Sequence, residues 1–287
     1  MLNRVSRRLL HRSSFKLIMV DNKSATPTIV LTEKERQIFA TLMEVLDTNG
    51  LQTVIRANGG WVRDKVMGLE SDDIDISLDG MYGEDFAKMI TEHLTKKGEQ
   101  VSYKVIKSKS DKSKHLETSS IKLNGQVVDL VNLRSETYSS GSRIPQIEAG
   151  TPLQDAYRRD LTINSLFYNI NEQTVEDWTG FGLQDIKDRV IRTPLPPLQT
   201  FLEDPLRLLR TIRFKNRFDF TPVSELLEAA ANPDVKDGIC QTLSYESIVI
   251  ELDKMLRGSN AHKAIADLHK FNLLSILFKF PEDLLYF

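Results

Sequence analysis

The chain has 287 residues, 40% hydrophobic and 27% charged, a composition typical of folded globular proteins and unlike that of disordered or fibrous ones. No apolar run approaches the roughly 18 residues that a membrane helix requires. The single cysteine, Cys240, excludes an internal disulfide and a cysteine-based zinc site, and the histidines show no metal-ligand spacing. Taken alone, the net charge of −2 argues against a nucleic-acid partner.

The amino-terminal segment MLNRVSRRLLHRSSFKLI is rich in Arg and Ser and contains no acid. This composition is typical of a mitochondrial transit peptide, although a basic tail without a targeting function has the same composition. Met19 follows directly and predicts a second, cytoplasmic or nuclear form that starts there. We therefore assign residues 1–28 to a transit peptide and linker, and expect a mitochondrial location.

Alternating helices and strands are predicted up to about residue 198. Thr32 and Glu35 have capping-box spacing and predict the start of a helix that Asn49-Gly50 ends. Asn124-Gly125 predicts a hairpin turn. Apolar periodicity predicts strands at 53–57, 73–78, 102–106, 120–123 and 126–133, helices at 61–67 and 84–97, and alternating strand and turn at 161–170 and 175–178.

Two later regions differ in pattern. Residues 138–150 are rich in Ser, Gly and Pro and predict a mobile loop. From Asp204 onward the pattern predicts helices, with a break at 231–238. The sequence therefore predicts an α/β part followed by a helical part.

An acidic pair lies on one predicted strand. Strict alternation from Asp73 to Leu78 places Asp73 and Asp75 on the same face. Two carboxylates this close repel each other unless a cation lies between them, and hard oxygen ligands suit Mg²⁺. A solvated acidic pair is the alternative. Asp129 strengthens the metal hypothesis, because it shares a strand face with two valines, where a carboxylate needs a cation or hydrogen-bond donors.

A glycine turn precedes the acidic strand. Gly59-Gly60 lies just before a predicted helix, so that the backbone can approach a phosphate and the helix amino terminus can attract it. Arg63, in the first turn of that helix, is placed to clamp a phosphate. Together with the acidic pair, the turn indicates a nucleotide site.

Four segments resemble the motifs of the polymerase-β-like nucleotidyltransferases and, more narrowly, of the eukaryotic class II tRNA nucleotidyltransferases, the CCA-adding enzymes. In chain order they are IRANGGWVRDKVMGLESDDIDISL, AYRRDLTINSLFYNI, DWTGFGLQDIKDRVIRTPL and FLEDPLRLLRTIRF. The resemblance implies an α+β fold. A polymerase-β-like head of mixed sheet and flanking helices (29–198) would precede an all-helical neck (199–257) and the start of a helical body (258–287), which we expect to be truncated.

The resemblance also implies an activity, namely untemplated addition of CMP and AMP from CTP and ATP to the tRNA 3′ end, with Mg²⁺ as the cofactor. Asp73 and Asp75 would hold two Mg²⁺ ions, and Asp129 would be the third catalytic carboxylate. Asp177, Gly180 and Asp185 would form a hinge, and Arg143 would act in a flexible loop. The nucleotide-binding residues would be Gly59, Gly60, Arg63, Arg158, Arg159, Asp160, Asn164, Asp204, Arg207, Arg210 and Arg213.

Base selection is expected from the segment EDPLRLLRTIRF. Pro205 predicts a helix first turn capped by Asp204, and Arg207, Arg210 and Arg213 recur along one side of that helix. Cytosine and adenine both present an amine donor beside a ring-nitrogen acceptor, which one carboxylate and one guanidinium match. In the family, side chains act as the template, and here they would be Asp204 and Arg207.

Two departures from the family pattern leave alternatives open. Tyr245 and Ser247 stand where relatives usually carry arginines, and the chain stops at Phe287, where the family's body continues. The alternatives are a CC-adding or an A-adding enzyme, a poly(A) polymerase of the same class, and a catalytically impaired RNA-binding remnant. The expected partners are tRNA, ATP and CTP, with no membrane and no obligate protein partner.

Overall fold

A computed structural model describes residues 27–106, 118–138 and 144–278. The predicted transit peptide, Met19 and Arg143 lie outside these residues. Helix α1 (Glu33–Thr48) begins as predicted, with a complete capping box in which the Thr32 hydroxyl accepts from the Glu35 N–H and the Glu35 carboxylate accepts from the Thr32 N–H. This reciprocal pair satisfies two amide groups that a helix start otherwise leaves unbonded.

The strands are β1 (Ile55–Asn58), β2 (Ile74–Leu78), β3 (Tyr103–Ile106), β4 (Thr118–Leu123), β5 (Gln126–Asn132), β6 (Arg134–Thr137), β7 (Gln146–Ala149), β8 (Leu166–Asn169), β9 (Thr174–Asp177), β10 (Val190–Ile191) and β11 (Thr221–Pro222). Seven of them form a mixed sheet in the order β3-β4-β5-β2-β1-β8-β9. Within it, β2 and β5 pair in parallel and the other neighbours pair antiparallel.

The remaining helices are α2 (Gly60–Val66), α3 (Gly83–Lys96), α4 (Pro152–Tyr157), α5 (Gly182–Asp188), α6 (Pro197–Glu203), α7 (Leu206–Phe218), α8 (Ser224–Ala231), α9 (Pro233–Thr242), α10 (Tyr245–Leu256), α11 (Ala261–Lys270) and α12 (Leu274–Leu277). A 3₁₀ turn spans Thr162–Asn164. No helix among the described residues is both long and apolar enough to cross a bilayer.

The predicted hairpin and half-buried strand are both confirmed. Asn124 and Gly125 have φ of 49° and 81°, the positive values that a two-residue turn between antiparallel strands requires. In β2, the three apolar residues Ile74, Ile76 and Leu78 are each at most 2% exposed. Their burial fixes the register of β2 and sends Asp75 to the opposite face.

The predicted helix break at 231–238 is wrong. Helix α8 runs to Ala231, and α9 starts at Pro233 with Asn232 between them. The Asn232 side chain accepts from the Asp234 N–H, so the chain changes helix within one residue. Gly238 lies inside α9, where the helix packs so closely on Pro205 that an added Cβ would come within 2.8 Å of it.

The predicted loop at 138–150 is also partly wrong. Its last part forms β7, which pairs antiparallel with β6. Pairing with β6 satisfies the backbone amides of β7, although the composition of this segment suggests a turn. Gly150 directly follows β7, at a position where an added Cβ would lie 2.6 Å from the Arg134 backbone. The hairpin β6–β7 borders the candidate site.

Candidate active site

Two neighbouring strands bring the predicted carboxylates together. The parallel pairing of β2 with β5 aligns Asp75 with Asp129. Asp73 immediately precedes β2 and is exposed, whereas Asp75 is half-buried. Burial raises the pKa of Asp75, and the charges of Asp129 and Asp73 raise it further against the opposing effect of Arg159. Arg159 therefore offsets only part of the burial and repulsion that act on the Asp75 carboxylate.

The surroundings of Asp129 differ from the prediction. Its face of β5 is the open one, where Val127 is 53% exposed, while the opposite face carries the buried Val128 and Leu130. The prediction that Asp129 lies on a buried apolar face is therefore wrong, because Val127, which shares its face, is exposed to solvent. One oxygen of Asp129, Oδ1, is nevertheless buried and lacks a hydrogen-bond partner among the described residues.

A cation fits this arrangement. An unsatisfied buried oxygen and a neighbouring carboxylate with a raised pKa are what a divalent ion would relieve. Among the described residues, no three His, Cys, Asp or Glu side chains form a ready-made metal site. Mg²⁺ does not require one, because it commonly takes one or two carboxylates together with substrate phosphates and waters.

The glycine turn has the geometry that phosphate binding needs. Gly59 has φ of 62°, and a Cβ there would lie 2.5 Å from Arg159 Nη1. Only glycine fits this position without displacing Arg159. At Gly60 an added Cβ would make an ordinary 3.6 Å contact with Arg63. Gly60 is the first residue of α2, and it lines the cleft between the sheet and α7.

Arg63 is more deeply buried than a surface phosphate clamp. It is 4% exposed, and its guanidinium carbon lies 5.0 Å and 4.9 Å from the ring centroids of Phe214 and Phe218. Its Nε donates to Asp64, and its Nη1 donates to Asn164. Burial lowers the pKa of Arg63 despite these contacts. Arg63 therefore joins α2 to α7 as well as lining the cleft.

A buried carboxylate that the sequence analysis missed holds two of the predicted arginines. Asp155 is 1% exposed; its Oδ1 accepts from Arg158, and its Oδ2 accepts from Arg159 at 2.9 and 2.7 Å. Burial raises the pKa of Asp155, but the two guanidinium groups outweigh it and hold the pKa low. The i, i+3 and i, i+4 spacing in DAYRRD is a helical signal that could have revealed it.

Asp160 and Asn164 join the cleft to the helical part of the chain. Asp160 accepts from Asn164 Nδ2 at 3.0 Å and from Arg210 Nε at 2.7 Å. Burial raises the pKa of Asp160, but Arg210 and Asn164 lower it overall to about 2. Asp160 is therefore ionised at neutral pH and bridges the 3₁₀ turn to α7.

Helix α7 begins at Leu206, one residue later than predicted, with Pro205 directly before it. The Asp204 carboxylate nevertheless accepts from the Leu206 N–H at 3.1 Å, the kind of bond expected of the predicted cap. Arg207 is only 6% exposed and donates to the Arg158 carbonyl at 2.7 Å and the Tyr138 hydroxyl at 3.0 Å. It also lies 3.5 Å from Glu136. Arg207 is thus held in one orientation by contacts with β6, with Tyr138 that follows it and with the Arg158 carbonyl.

Arg213 forms an ion pair with a residue of another helix, α10. Its Nε donates at 2.6 Å to Glu251 of α10, and its guanidinium stacks 4.1 Å from the Phe214 ring. Because Glu251 is 3% exposed, this ion pair also holds α10 against α7.

The predicted hinge residues stabilise local structure outside the cleft. Asp177 Oδ1 accepts from the Gly180 N–H and its Oδ2 from the Leu183 N–H, closing the turn before α5, and Gly180 has φ of 73°. Asp185, 3% exposed, accepts from the Thr162 hydroxyl at 2.6 Å and pairs with Arg192.

Most predicted site residues line one cavity of about 580 Å³ between the sheet and α7. The volume is in the range of small-molecule sites. Glu136 and Tyr138 also line it, and neither was predicted from the sequence. The predicted residues in its wall are Gly60, Arg63, Asp75, Arg158, Arg159, Asp160, Asn164, Asp204, Arg207, Arg210 and Arg213.

Comparisons with known proteins agree with this geometry. Residues 55–192 match the family model of the poly A polymerase head domain. The chain is 42% identical over 269 residues to the mitochondrial CCA tRNA nucleotidyltransferase of Saccharomyces cerevisiae, covering 90% of this chain and 49% of that protein. The mitochondrial CCA tRNA nucleotidyltransferase of Candida glabrata is 43% identical over 268 residues, with coverage of 90% and 50%.

Among solved structures, the Thermotoga maritima CCA-adding enzyme complexed with tRNA(CCA) superposes with a TM-score of 0.67 at 28% identity, covering 87% of this chain and 53% of that one. Fold and site together define a polymerase-β-like nucleotidyltransferase head. Residues 55–192 of this chain belong to the poly A polymerase head-domain family, and the relatives that the chain matches include eukaryotic CCA tRNA nucleotidyltransferases. The chain spans about half the length of the curated relatives it matches.

Proposed function

We propose that this protein adds CMP and AMP from CTP and ATP to the 3′ end of tRNA without a nucleic-acid template. The observation that carries the proposal is the cavity in which Asp75, Gly60 of the glycine turn and the Asp204–Arg207 segment converge, with Asp129 aligned with Asp75 on the neighbouring strand. The RNA 3′-oxygen forms a bond to the α-phosphorus while the bond to the β-phosphate oxygen breaks. The hydroxyl proton is released and pyrophosphate leaves with the electron pair.

Asp73, Asp75 and Asp129 are the proposed catalytic carboxylates, with Mg²⁺ held by Asp73 and Asp75. When bound, Mg²⁺ lowers the pKa of the attacking hydroxyl and stabilises charge on the attacking and leaving oxygens. The buried Asp129 Oδ1 supports its inclusion, because this oxygen lacks a hydrogen-bond partner among the described residues and belongs to the residue aligned with Asp75.

Arg158 and Arg159 would bind the triphosphate. Asp155 supports this role because it fixes both guanidinium planes before a nucleotide arrives, so less side-chain entropy is lost on binding. The amino end of α2 at Gly60 would add backbone N–H groups to the phosphates.

Asp204 and Arg207 would select the base. The carboxylate would accept from the exocyclic amine of cytosine or adenine, and the guanidinium would donate to the ring nitrogen. Uracil and guanine present the opposite order, so each would leave buried polar groups unpaired, at a cost of about 1–3 kcal/mol per group.

The experiment is incorporation of labelled CTP, ATP or UTP into tRNAs that end before, within or after CC, with Mg²⁺ present. Asp204→Ala should lose discrimination against UTP and retain metal binding, whereas Asp73→Ala should abolish transfer of either nucleotide. Unchanged selectivity of Asp204→Ala would contradict the templating role. The products also separate full CCA addition from CC-only addition, A-only addition and poly(A) synthesis. The absence of any product would favour the RNA-binding remnant.

We also propose a division into a head (29–198), a neck (199–257) and the start of a body (258–287), with a hinge at Asp177, Gly180 and Asp185. A mitochondrial location is supported by the names of the relatives. A second cytoplasmic or nuclear form from Met19 is part of the proposal, and amino-terminal sequencing of the mature forms tests it.

A further inference from the structure

A buried side-chain amide lies beside the acidic strand. Asn58 is the last residue of β1, directly before the glycine turn, and it is only 1% exposed. Its Oδ1 accepts from the Ser77 hydroxyl of β2 at 3.0 Å. Its Nδ2 is buried and has no hydrogen-bond partner among the described residues. Because buried polar groups are nearly always hydrogen-bonded, this donor points to a partner that moves into reach in the working protein.

The strand register places Asn58 beside Asp75. In the antiparallel pairing of β1 with β2, Ala57 faces Ile76. The next position along β1 therefore brings Asn58 opposite Asp75. Side chains that face each other across antiparallel strands lie on the same side of the sheet, with Cβ atoms about 4.5–5.5 Å apart. The unpaired amide and the acid are thus direct neighbours.

Asp75 lies in the middle of a row that crosses three strands. On β5, Asp129 is aligned with it, and the buried Oδ1 of Asp129 also lacks a partner in the part of the chain that the structure describes. The two neighbours of Asp75 differ in chemistry, because Asn58 offers a donor and Asp129 offers an acceptor. A carboxylate has two oxygens, so Asp75 can interact on both sides at once.

The cross-strand neighbours of Asn58 favour Asp75 as the acceptor for Nδ2. On β8 the facing residue is Phe167, whose side chain is apolar. On β2 the diagonal neighbour Ser77 already donates to Oδ1, which fixes the orientation of the amide. The other diagonal neighbour, Asp73, is exposed, whereas Nδ2 is buried. The reverse orientation would turn the amide oxygen towards the Asp75 carboxylate, an acceptor that repels it.

We propose that Asn58 is a positioning residue for Asp75. Its Nδ2 donates to one carboxylate oxygen of Asp75 and turns the other oxygen towards the Asp129 side, where it is available to the metal. The inference rests on the proposed function, which assigns Mg²⁺ to Asp73 and Asp75. Hydrogen-bond donors behind metal ligands orient those ligands, and their loss typically costs roughly 10–100-fold in metal affinity. Ser77 acts one step further away, because it holds the amide in this orientation.

The affinity of the full, nucleotide-free chain for Mn²⁺ tests the proposal. Mn²⁺ prefers the same oxygen ligands as Mg²⁺, and electron paramagnetic resonance measures its free concentration. Asn58→Val and Asn58→Thr are nearly isosteric, but only threonine keeps a hydroxyl donor. We expect Asn58→Val to bind Mn²⁺ roughly tenfold more weakly than the wild type, and Asn58→Thr to bind it more tightly than Asn58→Val. Equal affinities of Asn58→Val and the wild type, or of the two variants, would overturn the inference.

Asn169→Val is the matched control. Asn169 is also a buried strand asparagine, 6% exposed, but it lies opposite Arg56 and donates to Glu176 at 2.8 Å. Its replacement removes a buried amide outside the row, so the Mn²⁺ affinity should stay that of the wild type. A loss equal to that of Asn58→Val would refute the specific role of Asn58.

Urea unfolding in EDTA checks that each variant folds. If Asn58→Val does not fold, Ser77→Ala decides the question, because it keeps the amide but releases its orientation. Weaker Mn²⁺ binding by Ser77→Ala would then support the inference, and an unchanged affinity would overturn it.

Incorporation of labelled CTP separates this inference from the proposed function. Asn58→Val should raise the Mg²⁺ concentration needed for half-maximal incorporation, while saturating Mg²⁺ restores kcat and KM for CTP is unchanged. A raised KM for CTP, or a loss of kcat that Mg²⁺ does not restore, would mean that Asn58 acts on the nucleotide, and the inference would fail alone. It would also fail alone if the wild type incorporated nucleotide but bound no Mn²⁺. If the wild type binds Mn²⁺ and incorporates nothing, the proposed function fails, and the Mn²⁺ affinities of the variants still decide the role of Asn58.

Discussion

At the scale of single residues, buried acids organise the cleft. Asp155 fixes two arginines, and Asp160 links Asn164 to Arg210. A buried carboxylate is stable only with such partners, so each acid ties its neighbours into one geometry. The arginines that would meet phosphate are consequently oriented before substrate binds.

Asp160→Asn should reduce the free energy of unfolding at pH 7 by roughly 2 kcal/mol, since its pKa falls from 3.8 to about 2 on folding. A depressed carboxylate pKa gives stability that is present above the unfolded value and is lost as pH falls from about 4 to about 2. Urea unfolding between pH 7 and pH 2 should therefore show a shallower acid limb in the variant. Asp253→Asn, at an exposed ion pair, is the control and should change stability little; equal losses in both variants would contradict this prediction.

Asp75→Asn should abolish nucleotide transfer yet stabilise the metal-free protein. Because the pKa of Asp75 is raised by burial and by neighbouring acids, its ionised form is unfavourable in the folded state at neutral pH. Removing the charge should add roughly 0.5–2 kcal/mol, as for other destabilised active-site groups. Thermal unfolding with EDTA and with Mg²⁺ measures this: Mg²⁺ should raise the melting temperature of the wild type more than that of Asp75→Asn. A variant less stable than the wild type in EDTA would show that Asp75 is structurally required.

At the scale of elements, α7 connects the parts of the site. Its first turn carries Arg207, its middle carries Arg210, and its last two turns hold Phe214 and Phe218 around Arg63 of α2. The position of the Arg207 end of α7 relative to the glycine turn before α2 therefore depends on this aromatic contact.

Phe214→Leu should loosen that contact and reduce selectivity for CTP over UTP. Leucine keeps most of the apolar volume but removes a cation–π interaction of about 1–2 kcal/mol with a desolvated guanidinium. The ratio of kcat/KM for the two nucleotides measures the effect, and Phe214→Tyr, which keeps the ring, should restore it. Phe271→Leu removes a ring beside Lys270, remote from α2, and serves as the control. Identical selectivity in all three variants would mean that the contact does not align α7.

At the scale of the whole molecule, one hydrophobic cluster extends from Ile29 to Leu277. Ion pairs add to it, because Asp160 meets Arg210 and Arg213 meets Glu251 across element boundaries. The sheet and the helices that follow it therefore share a core.

We expect a single cooperative unfolding transition. Fluorescence of Trp61, 1% exposed beside the sheet, should change at the same urea concentration as far-UV circular dichroism, which reports chiefly the helices. CTP with Mg²⁺ should shift both curves together. Separate midpoints would show that the helical part unfolds independently.

Local signals predicted much of the fold. The capping box at Thr32, the Asn124-Gly125 turn and the alternation in β2 depend on neighbours within a few residues, and each is confirmed. The errors lie where packing overrides composition. Gly238 lies within a helix that packs against Pro205 too closely for a side chain, and residues 146–149 form a strand because β6 offers a partner.

The sequence by itself determined the nucleotidyltransferase class, the acidic strand, the glycine turn and the arginines of α7, because motif spacing and periodicity are local properties. Tertiary structure alone decided which face of β5 is open, which carboxylate holds Arg158 and Arg159, and that Arg63 packs against two rings of α7. It also decided that Asp75 lines the cavity of the candidate site whereas Asp73 lines a separate one. The physical reason is that burial and pairing arise between elements far apart in the chain, and periodicity contains no information about which of them meet.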